Sequence, residues 1–372
     1  MAGIALQMTT WNYTATLFAT KCCSRPESFY IMFDRFRTAV EQVLQHFTVE
    51  PNTQFAQLVR DELADISADS QQSSPDAKQL QSLYELRARF LDWELGTGYL
   101  GFFSKNPGTR YTFTRRLEEV FQMLPSLGHA KVLEIGCGAG LLPLELASQA
   151  ESVAGIDISH FVLDFANQVK DYIQYRNVSF QQGDAEQLAF RDETFDLVIC
   201  SEVLEHLLQP QQTLNEIRRV LKPGGTLILT TPSAVSLSDL CMSLLRVFNK
   251  HIESEKDVHF DKKTYLAMQR MVSRQSEPGQ PQAKGIDDAI FMRVHERFSF
   301  SALLAMCQHA GFKVEQARGT VFAFPPHYQV FYRYCPGWVL PAVRLLEQML
   351  NRLHIFQRFG SVTTCFRMTA GL

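Results

Sequence analysis

The stretch Lys131–Ala147, KVLEIGCGAGLLPLELA, is an apolar run that breaks into three glycines and then resumes with helical spacing. Glycine serves where the backbone takes positive φ or where a ligand comes closer than a Cβ allows. Gly136, Gly138 and Gly140 stand where a strand hands over to a helix, and this predicts a turn that carries a ligand. Downstream, short β-rich runs alternate with helical ones, the pattern of βαβ units around a parallel sheet. Strands are read at Lys131–Ile135, Ser152–Asp157, Val178–Gln182, Phe195–Cys200, Thr226–Thr231, Lys313–Ala317 and Ser361–Met368. Helices are read at Leu141–Gln149, His160–Tyr175, Gln211–Leu221 and Ser299–Ala310, and the LKPGG of Leu221–Gly225 reads as a turn. The expected fold class is α/β, a doubly wound, seven-stranded, mainly parallel sheet.

Upstream, Phe29, Phe33, Phe36, Val40, Val43, Leu44 and Phe47 recur at helical intervals. Helical periodicity returns at Leu80–Leu95 and Tyr111–Leu124, with the loop GTGYLGFFSKNPGT between them. Residues 1–120 are thus expected to form a helical extension with a polar linker at 66–79, and residues 121–372 the sheet domain. Two insertions interrupt that domain, at about 233–298 and 322–358, and they read as lids over the sheet edge. The second contains VLPAVRLLEQMLNRL, which places Leu340, Val343, Leu346, Leu350 and Leu353 on one side and Arg344, Gln348 and Arg352 on the other. Such a helix can cover the sheet, mediate oligomerisation or touch a membrane peripherally.

The 372 residues are 46% hydrophobic, enough for a sizeable core, and the formal net charge of −3 supplies none of the basic field that nucleic-acid binding needs. Eight cysteines include no C-x-x-C pair, which fits packed thiols and a reducing, cytoplasmic setting. The N-terminal stretch does not read as a secretory signal; an acid-poor organellar transit peptide is the alternative. No apolar run approaches the roughly 20 residues of a spanning helix.

A nucleoside-triphosphate loop requires G-x-x-x-x-G-K-S/T, and the lysine and hydroxyl are missing here. A dinucleotide turn requires a third glycine where Leu141 stands. The arrangement E-x-G-x-G-x-G, followed by VAGIDIS, GDAEQLAF, FDLVICSEVLEHL and RRVLKPGGTLILTTP in that order, instead resembles class I S-adenosylmethionine-dependent methyltransferases. It is most similar to the subgroup acting on quinone precursors, sterols and related small molecules, and the segment HERFSFSALLAMCQHAGFKV extends the likeness more loosely. The first 120 or so residues match no family pattern.

That resemblance implies S-adenosylmethionine as cofactor and S-adenosylhomocysteine as product. Glu134 would anchor the glycine turn and orient the methionine part, with Gly136, Cys137, Gly138 and Gly140 forming the cradle. The helix after it would offer its free N–H groups to the cofactor carboxylate. Asp157 would hold the ribose, Ile158 would pack on adenine, Asp184 and Ala185 would meet the adenine amino edge, and Cys200 and Ser201 would line the methionine side. Each has a plain structural alternative: Glu134 as a local cap, Cys137 as small filler, Asp184 as a turn former.

Methyl transfer from a sulfonium is an in-line displacement, so alignment and exclusion of water supply much of the rate. A base matters when the acceptor is a phenol or alcohol. His206, with Glu202 at i−4 and Glu205 beside it, and His295 on the candidate lid are the expected catalytic groups. Quinone-pathway O-methyltransferases carry a comparable E-x-x-E-H that can bind a divalent cation; a solvated or ion-pairing face is the rival, and no metal ligands are assigned. The fourth strand ends in CSEV rather than the Pro-Pro motif that grips a planar amino group. The expected acceptor is a hydrophobic or aromatic small molecule methylated on oxygen. The alternatives are carbon methylation of a lipid or polyketide-like substrate, or a non-catalytic binding protein on the same fold.

Overall fold

The computed structural model describes residues 38–40, 42, 43, 106–234, 297–322, 331, 332, 334–353 and 361–371. Its elements are α1 (Pro107–Met123), β1 (Lys131–Ile135), α2 (Leu141–Leu146), β2 (Ser152–Asp157), α3 (His160–Ile173), β3 (Val178–Gln182) and β4 (Phe195–Ser201), then α4 (Pro210–Val220), β5 (Leu221–Pro232), α5 (Phe300–His309), β6 (Phe312–Phe322), α6 (Leu340–Arg352) and β7 (Ser361–Ala370). The sheet order is β3-β2-β1-β4-β5-β7-β6. The first five strands are parallel, whereas β7 runs antiparallel to both β5 and β6. The strand order reverses between β1 and β4, and in open α/β sheets that reversal opens a crevice at the strand carboxyl ends.

Alternation along the central strands sorts the core into two layers. Val132, Leu197, Ile199 and Ile228 face one cluster with α1, α2 and α3, while Leu133, Ile135, Val198, Leu227 and Leu229 face the other with α4 and α5. Each of these side chains is essentially inaccessible to water, a contribution of about 1.5–3 kcal/mol apiece before chain entropy is counted. Glu134 alternates onto the α1 face of β1, which sets up the chemistry below.

Three differences from the sequence expectation have physical causes. Helix α1 begins at Pro107 and not at Tyr111, because the Asn106 side chain accepts from the Thr109 amide at 2.9 Å and Pro107 occupies the first turn. It runs through position 120, and Leu117, Val120 and Met123 enter the core beside the buried Ala39, Val40 and Val43. Helix α2 stops at Leu146, three residues short. Strand β5 starts at Leu221, with Phe195 opposite Leu221 and Leu197 opposite Thr226, so the expected LKPGG turn is an irregularity inside a longer strand.

Helix α6 confirms the expected helix but not its facing. Leu340, Val343 and Glu347 are buried, while Leu346 and Leu353 are exposed. The cause is electrostatic: Arg115 Nε of α1 donates to Glu347 Oε2 at 2.9 Å, and the Phe322 amide donates to Glu347 Oε1 at 2.9 Å. Asn351 adds a two-way bond to the backbone of Gly319 on β6. The residues 235–296 of the first insertion, and with them His251, His259 and His295, lie outside the described residues, as do 323–330 and 354–360.

Every residue of α2 is buried, including Glu145, whose carboxyl burial pushes up from 4.5 to about 8. A carboxyl with a folded-state pKa above its unfolded value keeps a proton that the unfolded chain has lost. The folded state is therefore progressively disfavoured as pH rises from about 4.5 towards 8, by up to about 1.4 kcal/mol per unit. Replacing Glu145 with Gln should flatten this slope and raise stability at pH 8 relative to the parent. Denaturant unfolding at pH 5.5, 6.5 and 7.5 measures it, and parallel curves for the two proteins would refute it.

Candidate active site

The register of the parallel strands brings the motif residues to one edge. Ile135 lies opposite Ile156 on one side and Cys200 on the other, Asp157 opposite Gln182, and Ser201 opposite Thr230. The residues that follow these positions therefore gather at the carboxyl edge of the sheet, around the reversal between β1 and β4.

Gly136, Gly138 and Gly140 have φ of 66°, 49° and 84°. Gly136 has two reasons to be glycine, since a Cβ there would also stand 2.3 Å from Val203 Cγ2. At Gly138 a Cβ would meet nothing within 4 Å, so the Cα side of this residue faces open space. The turn is held to β2 by the Cys137 amide, which donates to the Ile156 carbonyl at 2.9 Å, and closed by the Gly140 amide on the Cys137 carbonyl at 2.9 Å. Asp157 completes it, accepting from the Gly138 amide on Oδ2 at 2.9 Å and from the Ser159 amide on Oδ1 at 3.0 Å. Two amide donors orient this carboxylate.

Glu134 is buried below the turn, and its Oε2 has no hydrogen-bond partner. Burial raises its pKa well above the usual carboxylate range; the Arg116 charge opposes this and the Asp157 charge adds to it. Arg116, on α1, is the residue the sequence patterns did not single out. Its guanidinium approaches Glu202 at 3.5 Å, and its Nε is buried without a partner. The one available signal was the helical spacing of 111–124, which marks a helix but not which of its arginines points to the sheet edge. A buried carboxyl and a half-buried guanidinium, each with one unfilled hydrogen-bonding atom, thus lie towards the α1 side of the sheet.

Helix α2 contributes less than expected. At six residues it has a short dipole, and its Leu144 amide is taken by the Gly140 carbonyl, so the nearby positive charge comes from Arg116 instead.

After β3, Asp184 Oδ1 accepts from the Glu186 amide at 2.8 Å, a turn-forming role, with Ala185 buried beside it. This loop is tied to α4, since Glu216 accepts from the Leu188 amide at 2.9 Å and Arg219 donates to the Leu188 and Phe190 carbonyls. Ile158 is half-buried, and its carbonyl accepts from Gln182 Nε2 at 2.9 Å.

Past β4 the chain takes a left-handed step at Glu202, φ 57°, and then a 3₁₀ turn over Leu204–His206. Glu202 lies before that turn, so α-helical i−4 spacing does not relate it to His206. It is placed by Thr230, whose hydroxyl donates to Glu202 Oε1 at 3.0 Å and also bonds Ser201 Oγ at 2.9 Å. Glu205 is buried, accepts from the Thr231 hydroxyl at 3.2 Å, and has its pKa raised first by burial and then by the Glu202 charge. His206 Nε2 lies 3.9 Å from Glu205 Oε1, with the imidazole partly exposed. Cys137 and Cys200 are buried and their thiols are pushed well up by burial, so neither is a nucleophile at neutral pH. Among the described residues, no group of three or more His, Cys, Asp or Glu is arranged to hold a metal ion.

Comparison with known proteins follows the same segment. Residues 127–283 match the model of a methyltransferase domain. The ubiquinone biosynthesis O-methyltransferase of Coxiella burnetii is 35% identical over 116 residues, 31% of this chain and 49% of that protein. The mitochondrial ubiquinone biosynthesis O-methyltransferase of Schizosaccharomyces pombe is 31% identical over 169 residues, 45% of this chain and 59% of that protein. The chain thus spans about half the length of the curated relatives it matches. Among solved structures, an S-adenosylmethionine-dependent methyltransferase from Mesorhizobium loti covers 68% of this chain and 96% of its own at 17% identity and a TM-score of 0.41. The matched segment, the ordered motifs and the sheet order all agree with the expected resemblance to S-adenosylmethionine-dependent methyltransferases, and residues 127–283 are similar to a methyltransferase domain.

Proposed function

We propose that this protein binds S-adenosylmethionine at the carboxyl edge of the sheet and methylates an oxygen of a hydrophobic small molecule. The observation that carries the reading is the pair of unfilled buried atoms, Glu134 Oε2 and Arg116 Nε, on one side of the glycine turn. A carboxyl oxygen and a guanidinium nitrogen, each buried with no hydrogen-bond partner, can complement the two ends of an amino-acid zwitterion. Arg116 would take the carboxylate of the methionine part and Glu134 its ammonium. The open approach to Gly138 lets backbone meet the ligand directly, and the carboxylate of Asp157, fixed at the end of β2 by two amides, suits the ribose hydroxyls. Ile158, Asp184 and Ala185 would border the adenine, and Cys200 and Ser201 the methionine side.

When bound, S-adenosylmethionine supplies an electrophilic methyl on a sulfonium whose positive charge disappears as the new bond forms. The chain's task is then to align the acceptor, keep water out and receive the acceptor's proton. His206 is the described residue placed to do so, its Nε2 3.9 Å from Glu205 Oε1 and its imidazole partly exposed at the sheet edge. His295 remains a second candidate base by its sequence position. The quinone-pathway names of the relatives support an aromatic hydroxyl as the acceptor class.

The direct test is incubation of pure protein with methyl-labelled S-adenosylmethionine and cell extract; a labelled, solvent-extractable, base-stable ether product is expected, and no label transfer would refute the enzyme reading. His206→Ala should lower turnover at least about tenfold with cofactor affinity unchanged. Equal turnover would remove the base role. Asp157→Ala should weaken binding of S-adenosylhomocysteine by about 1.5–3 kcal/mol in calorimetry. Gly138→Ala separates fold from ligand. Its methyl meets no protein atom, so stability should fall only by the roughly 1–2 kcal/mol of a left-handed non-glycine residue. Binding should fall by more than about tenfold, because the methyl occupies the ligand's side of the turn. Undiminished affinity would move the ligand elsewhere.

A further inference from the structure

Between Tyr334 and Leu353 the sequence holds a single acidic residue, Glu347, and it is completely buried against Arg115. The consequence is on the opposite side of α6. The exposed positions there are Pro341, Ala342, Leu345, Leu346, Gln348, Met349, Arg352 and Leu353, of which only Gln348 and Arg352 are polar. Leu345, Met349 and Leu353 are 59%, 56% and 62% exposed, and Trp338, one turn before the helix, is 82% exposed. A surface helix of a globular protein ordinarily turns its leucines in and its charge out. Here Leu340 and Val343 turn inward, but the helix's carboxylate turns inward with them and a second apolar strip is left outside, and specific bonds hold it so: Arg115 and the Phe322 amide to Glu347, Arg344 to Glu118 at 2.9 Å, and Asn351 to Gly319.

We propose that this outer face of α6, with Trp338 at its start, docks onto the surface of a membrane containing anionic lipid. Three features select that occupant. Leu345, Leu346, Met349 and Leu353 follow one another at intervals of one, three and four residues, a single apolar strip that can lie in the plane of a bilayer interface. The exposed charge on the helix is cationic, from Arg352, since its one carboxylate is turned inward; this complements anionic headgroups. Trp338 is the side-chain type that settles at the headgroup level. A stable copy-to-copy interface fits less well, because a helix of 13 residues is about 20 Å long and one of its faces falls short of the roughly 800 Å² per partner that such an interface takes. Among the described residues no helix is long and apolar enough to cross a membrane, so the contact is interfacial. The proposal goes beyond methyl transfer and stands or falls separately from it.

The test is flotation of the full chain with vesicles of phosphatidylcholine alone and of phosphatidylcholine with phosphatidylserine. The parent should float with the mixed vesicles, less with the neutral ones, and less again at high salt. The triple substitution Leu345→Ser, Leu346→Ser, Met349→Ser should cut partitioning by at least about tenfold while melting temperature and S-adenosylhomocysteine affinity stay unchanged. Arg352→Glu should weaken binding to the mixed vesicles only. A parent that does not float, or a triple variant that floats as well as the parent, overturns the proposal. So does a triple variant that changes the mass in sedimentation while leaving flotation intact, which assigns the face to self-association.

Discussion

The amide of Gly138 donates to Asp157 Oδ2 across the gap between the first two strands of the parallel sheet. Through this bond the loop after β1 and the end of β2 become one unit, and the amide can reach the carboxylate only because the turn runs through left-handed backbone at Gly136 and Gly138. The same carboxylate is held on its other oxygen by the Ser159 amide at the start of α3. The acid that ends β2 thus also shapes the glycine turn after β1. Both lie beside the reversal of strand order, where a crevice exists for topological reasons.

The charge balance around this unit is unusual for an interior. Glu134 and Glu205 are buried, Glu202 stands close by, and Arg116 is the guanidinium placed among them. Burial raises the pKa of Glu134 and of Glu205, so protonation relieves part of the desolvation cost. Helix α1, which supplies Arg116, thus brings a guanidinium to the sheet edge where these carboxyls lie, and is more than a cover for the sheet.

Helix α1 also organises the distant side of the molecule. One turn of it carries Arg115 into the pair with Glu347 of α6, and the neighbouring Arg116 towards Glu202 at the strand edge. Adjacent residues on a helix point about 100° apart, which lets consecutive arginines serve two different sites. The orientation of α6, with Glu347 inward beside Leu340 and Val343 and with Leu345, Met349 and Leu353 outward, agrees with the first of these pairs. Buried ion pairs contribute little net stability but penalise alternatives that would separate the charges, which favours this facing.

The strand positions, the glycine turn, the acid ending β2 and the order of the motifs were legible in the chain itself, because buried parallel strands are continuous apolar runs and a turn with positive φ admits few residues besides glycine. Helix starts were half legible: Asn106 and Pro107 carried a start signal that the loop reading of 96–109 passed over. The pairing of Arg116 with Glu202, the 3₁₀ turn that separates Glu202 from His206 and the facing of α6 came only with the tertiary structure, which also shows Asp184 in the turn-forming role that the sequence had offered as one of two. Local periodicity reports which residues can share a face, since that is a property of one helix or strand. It carries no information about which buried charge waits opposite, and a single guanidinium paired across more than 230 residues outweighed the hydrophobic pattern of a whole helix.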